Sequence, residues 1–236
     1  METTLDGLRD LKLYQRKEGY RFSVDALLLY SFVNVGHVKD AVDLGAGSGV
    51  IGLLLARKYP DARVLLVELQ QTLYRLAERN IGLNGLRDRV SAVMRDISTL
   101  HETYPAMSCD IVVSNPPFRK PSSGRLSLGE ERAVARHEIR LRLPELAKCA
   151  SHLLKSRGRF FMIFHPERAV EMIDTLRVQQ LEPKRIRFVH NDIDSVSKIV
   201  LVEAVKCGRA GLKVERPLVL YQKDGSYTEE VRAMYE

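Results

Sequence analysis

The chain has 236 residues, enough for one large α/β domain and generous for two. Hydrophobic residues make up 45% and charged residues 28%, so a sizeable core is expected and intrinsic disorder is argued against. A net charge of +7 with a pI near 9.4 favours an anionic partner.

Placement and metal content follow from what the sequence lacks. The longest uncharged stretch, Ala26 to Val38, is too short to span a bilayer and contains Asn34, Gly36 and His37. Charges begin at Glu2 with no signal-peptide pattern, so a cytoplasmic protein with no membrane partner is expected. Cys109, Cys149 and Cys207 are isolated from one another and the histidines are scattered, which argues against a zinc site and against a disulfide framework.

Residues 1–20 alternate Leu8, Leu11, Leu13 and Tyr14 with charges, the pattern of an arm or short hairpin packed on a main domain. Ala26-Leu27-Leu28-Leu29-Tyr30 is an apolar helix, with Ser23 or Asp25 as N-cap; Asp25 serves either as cap or as a ligand contact. Residues 1–30 are therefore expected as an N-terminal arm and first helix, and 31–236 as the main domain.

Ala41-Val42-Asp43-Leu44 is a short buried strand, followed by Gly45-Ala46-Gly47-Ser48-Gly49 and the helix Val50 to Ala56. Alternate glycines permit a tight strand-to-helix turn and close approach of backbone to a ligand. A second strand, Ala62 to Val67, ends in Glu68, an acid placed to bind two ribose hydroxyls. The spacing is not that of dinucleotide enzymes, which seat a pyrophosphate, and Asp43 would repel one. S-adenosyl-L-methionine carries no phosphate, and its ammonium would suit Asp43. Gln71 to Asn84 reads as a helix closed at Asn84-Gly85. The third strand, Val90 to Met94, leads to Arg95-Asp96-Ile97, where Asp96 either caps a loop or accepts from an adenine amine.

Asp110 to Ser114 is a fourth buried strand, stopped by Asn115-Pro116-Pro117-Phe118. Two prolines in succession supply no N–H and restrict the residues before them, so ladder and helix both end there. At the carboxyl end of an α/β sheet this corner suits the alkylation of a planar nitrogen. The Asn115 side-chain oxygen and the Pro116 carbonyl are two acceptors for an amine's two hydrogens, and Phe118 is a ring for stacking. Arg119 to Arg142 is an insertion of net charge +4, carrying Arg119, Arg132 and Arg136, read as a basic flap that grips phosphates. Leu143 to Leu154 is a helix, Gly158 to His165 a fifth strand, Pro166 to Gln179 a helix, Lys184 to Val189 a sixth strand and Ser197 to Val205 a seventh. Only His190 to Val196 separates the last two strands, so they are expected to pair antiparallel. Lys184, Arg185 and Arg187 form a second basic cluster.

Asp43-Leu-Gly45-Ala-Gly47-Ser-Gly49, Glu68, Asp96 and Asn115-Pro-Pro-Phe118 together resemble a class I S-adenosyl-L-methionine-dependent methyltransferase of the amino-group type. Gly19-Tyr-Arg-Phe-Ser-Val-Asp25, Ala135-Arg136-His137-Glu138 and the ending Pro217 to Tyr221 with Gly225-Ser-Tyr227-Thr228-Glu229 are similar to the bacterial valine-tRNA (adenine-N6) methyltransferase family. The resemblance implies a Rossmann-like, doubly wound α/β sheet of seven strands, mostly parallel with an antiparallel last strand. It implies methyl transfer to the N6 amine of the adenine 3′ of the anticodon in valine tRNA. Glu68 would hold the ribose, Asp96 with Ile97 the cofactor adenine, and Asp43, Gly45, Gly47, Asp25 and Asn115 the methionine side. Asn115, Pro116 and Phe118 would be catalytic, with Pro117, Phe118, Arg119, Arg132 and Arg136 on the RNA. A glutamine-amide methyltransferase, a guanine-N2 ribosomal RNA methyltransferase and a non-enzymatic RNA-binding protein on the same scaffold are the rival readings.

Overall fold

The computed structural model describes residues 2–17, 23–116 and 143–236. Its centre is one sheet whose main strands are β3 (Asp40–Leu44), β4 (Arg63–Glu68), β5 (Val90–Met94), β6 (Cys109–Ser114), β7 (Leu154–Phe164), β8 (Leu181–His190) and β9 (Ile199–Lys206). They lie in the order β5-β4-β3-β6-β7-β9-β8. All are parallel except β9, which is antiparallel to both neighbours. The expected seven-stranded, doubly wound Rossmann-like sheet is therefore present, with the last long strand reversed. Two short strands beyond it, β10 (Lys213–Val214) and β11 (Leu218–Val219), pair with the outer side of β8.

Strand periodicity sends alternate residues to opposite faces, and the core divides accordingly. Ile111, Val113, Phe161 and Ile163 join one apolar cluster with α1 (Val24–Phe32) and α2 (Val50–Lys58), and Ala77 and Ile81 of α3 (Gln71–Leu83) belong to it. Val112, Phe160, Met162 and Phe164 join the other, with α4 (Leu143–Leu153) and α5 (Ala169–Val178). Connections after β3 and β4 thus cover one face and those flanking β7 the other. The reversal falls between β3 and β6, where the glycine turn and the Asn115 corner both emerge.

Several boundaries differ from the sequence reading. β7 begins at Leu154 because four residues bulge between the Cys109–Leu154 and Ile111–Arg159 pairs. β8 begins at Leu181 and carries Pro183 at a register shift, where a residue without an N–H is tolerated. The expected helix from Pro166 starts as a short 3-10 turn, Pro166–Arg168, before α5.

The N-terminal residues form a hairpin, β1 (Thr3–Leu8) and β2 (Leu11–Arg16). Its Leu8, Leu11 and Leu13 are buried in the same cluster as α1 and α2. Two asparagines of one helix face take the place of a third strand. Asn80 accepts from the Tyr14 N–H at 2.7 Å and donates to the Tyr14 carbonyl at 3.1 Å. Asn84, one turn on, repeats this with Lys12 at 3.0 and 2.8 Å. Side chains four apart on a helix meet residues two apart on a strand, so the hairpin edge is satisfied without a sheet partner.

Candidate active site

Four adjacent strand ends are tied together in a row. The Ser114 hydroxyl, fully buried at the end of β6, donates to the Leu44 carbonyl of β3 at 2.7 Å. Gly45 and Ala46 N–H groups donate to the Val67 carbonyl of β4 at 2.9 and 3.0 Å. The Gly47 N–H donates to Glu68 Oε2 at 2.8 Å, and the Arg95 N–H donates to the Glu68 carbonyl at 3.1 Å, which joins β4 to β5. Three inter-strand steps span ~14 Å. That length suits a ligand made of a nucleoside and an amino-acid tail.

The turn after β3 needs its glycines. Gly45, Gly47 and Gly49 have φ of 75°, 59° and 89°, a region where side chains with a Cβ are strained. A Cβ built on Gly45 would meet nothing within 4 Å, so this part of the turn opens onto free space.

Asp43 is buried beneath the turn. Its Oδ2 accepts from the Gly52 N–H in the first turn of α2 at 2.9 Å, and its buried Oδ1 has no hydrogen-bond partner among the described residues. Burial pushes its carboxyl up from 3.8 to about 7; the Gly52 bond opposes this and the nearby Glu68 charge adds to it. A half-satisfied buried acid next to a second acid disfavours a phosphate and complements a cation. Glu68 Oε1 also accepts from the Gln70 N–H at 2.7 Å.

Asp96 resolves an apparent choice. It caps the 3-10 turn Ile97–Glu102 through Oδ1, which accepts from the Ser98 N–H at 2.9 Å and its hydroxyl at 2.7 Å. Its Oδ2 takes no hydrogen bond among the described residues, so capping leaves one oxygen for a ligand. Ile97 is buried beside Leu100 in the second cluster.

Asn115 follows β6 directly, half-buried, with Pro116 buried after it. The Asn115 amide takes no hydrogen bond among the described residues. Asp25 stands in the first turn of α1. The carbonyl of Phe32, the last residue of α1, accepts from Arg185 in the middle of β8 at 2.6 Å. Pro117, Phe118, Arg119, Arg132 and Arg136, and with them the basic flap, lie outside the described residues. The second basic cluster is largely neutralised: Arg185 pairs with Glu203 and Glu215, and Arg187 with Glu230.

Sequence reasoning passed over Ser114 and Asn80. A hydroxyl among buried β-formers and an amide on the apolar face of α3 were the available signals. Asn80 is fully buried and also donates to the Ser48 carbonyl at 3.0 Å, so it joins the hairpin to the glycine turn.

The model of the methyltransferase small domain matches residues 23–179. A Porphyromonas gingivalis protein named tRNA1(Val) (adenine(37)-N6)-methyltransferase is 30% identical over 178 residues, covering 73% of this chain and 69% of that protein. The chain belongs to the methyltransferase small domain family and, within it, to the family of the tRNA1(Val) (adenine(37)-N6)-methyltransferases. Family members of the same name from Aliivibrio salmonicida and Yersinia pestis are 31% and 28% identical, over 60% and 89% of this chain. The match spans 58% of the Aliivibrio protein, under two thirds of its length, and 83% of the Yersinia protein. A crystal structure described as a predicted O-methyltransferase of Agrobacterium tumefaciens superposes with a TM-score of 0.70 at 23% identity, over 89% of this chain and 94% of that one. A Streptomyces coelicolor geranyl diphosphate C-methyltransferase solved with S-adenosyl-L-homocysteine gives 0.56 at 16% identity, over 77% and 78%. These likenesses show the fold of S-adenosyl-L-methionine-dependent methyltransferases. The small-domain chain keeps residues that fit this cofactor: the open turn at Gly45, the orphaned Asp43 oxygen, and Glu68 and Asp96 at adjacent strand ends.

Proposed function

We propose that the protein methylates the N6 amine of an adenine in tRNA, at position 37 in the anticodon loop of valine tRNA. The observation that carries this reading is the Asn115-Pro116 corner, which ends the strand next to the glycine turn and is tied to it through Ser114. The family names supply the substrate class.

When bound, S-adenosyl-L-methionine supplies an electrophilic methyl group on a sulfonium. The chain's part is orientation. The Asn115 side-chain oxygen and the Pro116 carbonyl accept the two N–H hydrogens of the adenine amine. Its lone pair, otherwise delocalised into the ring, then turns towards the methyl group, and positive charge growing on nitrogen meets two fixed dipoles. One of those hydrogens leaves as a proton through its acceptor to water. Phe118 stacks on the base, which an unpaired loop lets out for less than the few kcal/mol a duplex demands. Arg119, Arg132 and Arg136 hold nearby phosphates. On the cofactor side Glu68 takes the ribose hydroxyls and Asp96 with Ile97 the adenine, while Asp43, Gly45, Gly47 and Asp25 line the methionine end.

Asn115→Ala tests the clamp. Turnover on valine tRNA is expected to fall at least about tenfold while cofactor affinity stays near wild type. Unchanged turnover would remove Asn115 from the chemistry. Mass-spectrometric mapping of nucleosides from a deletion strain tests the substrate; a lost methyl-guanine in ribosomal RNA would replace this reading with its rival.

A further inference from the structure

At the end of the sheet opposite the Asn115 corner, where β7 and β8 begin and β9 ends, basic side chains converge. Arg157, Arg159, Lys184 and Arg209 line a concavity of about 230 Å³, with Val205 and Gly208 between them. Glu203, nearly fully buried, pairs with Arg159 and also with Arg185. Among the described residues Arg157, Lys184 and Arg209 have no carboxylate partner. Lys184 is nonetheless held in place, since its ammonium donates to the Arg209 carbonyl at 3.1 Å.

The surrounding backbone is held in costly conformations. Arg157, Gln180 and Cys207 have φ of 68°, 60° and 53°, and all three flank this end of the sheet. Gly158 admits no side chain, because a Cβ there would stand 2.8 Å from the Lys155 carbonyl. Non-glycine residues in the left-handed region cost of order 1–3 kcal/mol each and persist where the surroundings dictate them. The cations continue outward along the sheet edge. Lys213 on β10 and Arg216 beyond it are exposed, and Glu215 between them is already paired with Arg185.

A row of cations, of which Arg157, Lys184 and Arg209 have no carboxylate partner among the described residues, with no aromatic ring lining the concavity, suits phosphates in series and offers nothing to read a base. We infer that this basic edge holds the sugar-phosphate backbone of the substrate RNA outside the target loop, so that intact tRNA is preferred to an isolated stem-loop. The inference rests on the tRNA reading above. The five residue steps from Arg159 to Phe164 along β7 extend ~17 Å, a span that one tRNA covers while its loop sits at the corner.

The test is a triple variant, Arg157→Ser, Lys184→Gln and Arg209→Ser, with Arg157→Lys and Arg209→Lys as a charge-preserving control. Steady-state kinetics are read on full-length valine tRNA and on its short anticodon stem-loop, and unchanged cofactor affinity certifies the fold. On tRNA the expected result is a KM raised about tenfold or more with kcat kept, and a salt slope shallower by about three. The stem-loop KM is expected to move less than about twofold, and the lysine control to follow wild type. Equal effects on both substrates, or none on either, overturn the inference. If wild type methylates neither RNA, the tRNA reading itself has failed. Fluorescence anisotropy with labelled tRNA then still decides the edge: weaker binding by the triple variant upholds it as an RNA surface, and unchanged binding overturns it. Loss of binding to phosphatidylserine vesicles with tRNA affinity unmoved would assign the edge to lipid headgroups instead.

Discussion

Asp43 sits out of reach of water, with one oxygen on the Gly52 N–H and the other on no donor among the described residues. Its carboxyl is raised by burial from 3.8 to about 7, so the folded chain keeps a proton that the unfolded chain has already released. Between those two values the unfolded state binds fewer protons, and stability falls as pH rises. Asp43→Asn removes the titration while keeping an oxygen for Gly52. Without cofactor, wild type is therefore expected to lose stability relative to Asp43→Asn from about pH 4 to about pH 8, by up to ~1.4 kcal/mol per pH unit. Urea unfolding across that range measures it, and parallel curves would count against the buried charge. Ser114 and Asp96 show the same economy at residue scale. One hydroxyl fixes the Asn115 corner to the neighbouring strand, and one carboxylate oxygen caps a turn.

The elements meet through polar side chains as much as through apolar ones. Helix α3 docks the hairpin with Asn80 and Asn84, and only Asn80 is buried and shared with the glycine turn. Truncating Asn80 leaves the buried Ser48 carbonyl and the partly buried Tyr14 N–H without their partner. Asn80→Ala is expected to cost roughly 2–3 kcal/mol in urea unfolding, against about 1 kcal/mol or less for the more exposed Asn84→Ala. Equal losses would mean that the hairpin is held by its leucines alone. The elements themselves were largely readable in advance. Val90 to Met94 and the Asp110 to Ser114 strand end where their runs of β-formers end, and Pro116 stops the latter because it has no N–H to continue a ladder. The sixth strand, expected from Lys184, instead begins at Leu181 and runs through Pro183. A proline marks a strand boundary unless a register shift excuses it, and a register shift belongs to the neighbouring strand as much as to the residue.

For the whole molecule, the four tied strand ends make cofactor binding and folding one equilibrium. At a hundredfold excess over its dissociation constant, a ligand that binds only the folded state adds ~2.7 kcal/mol of stability. For a domain of this size that corresponds to a melting temperature higher by about 5–10 °C. Scanning fluorimetry with S-adenosyl-L-methionine is expected to show such a rise, and a nicotinamide dinucleotide none. A flat response to the first would contradict the family's cofactor. The sequence by itself determined the α/β alternation, the reversed last strand, the glycine turn with its acids and the strand stop at Asn115-Pro116, because these are set by local sterics and by periods of two and 3.6. Tertiary structure alone decided which charges are free. Arg185 and Arg187 look basic in sequence but are neutralised by Glu203, Glu215 and Glu230, whereas Arg157 and Arg209, unremarked in the chain, have no carboxylate partner among the described residues at one edge. An ion pair depends on distance across the fold, and no pattern along the chain records that distance.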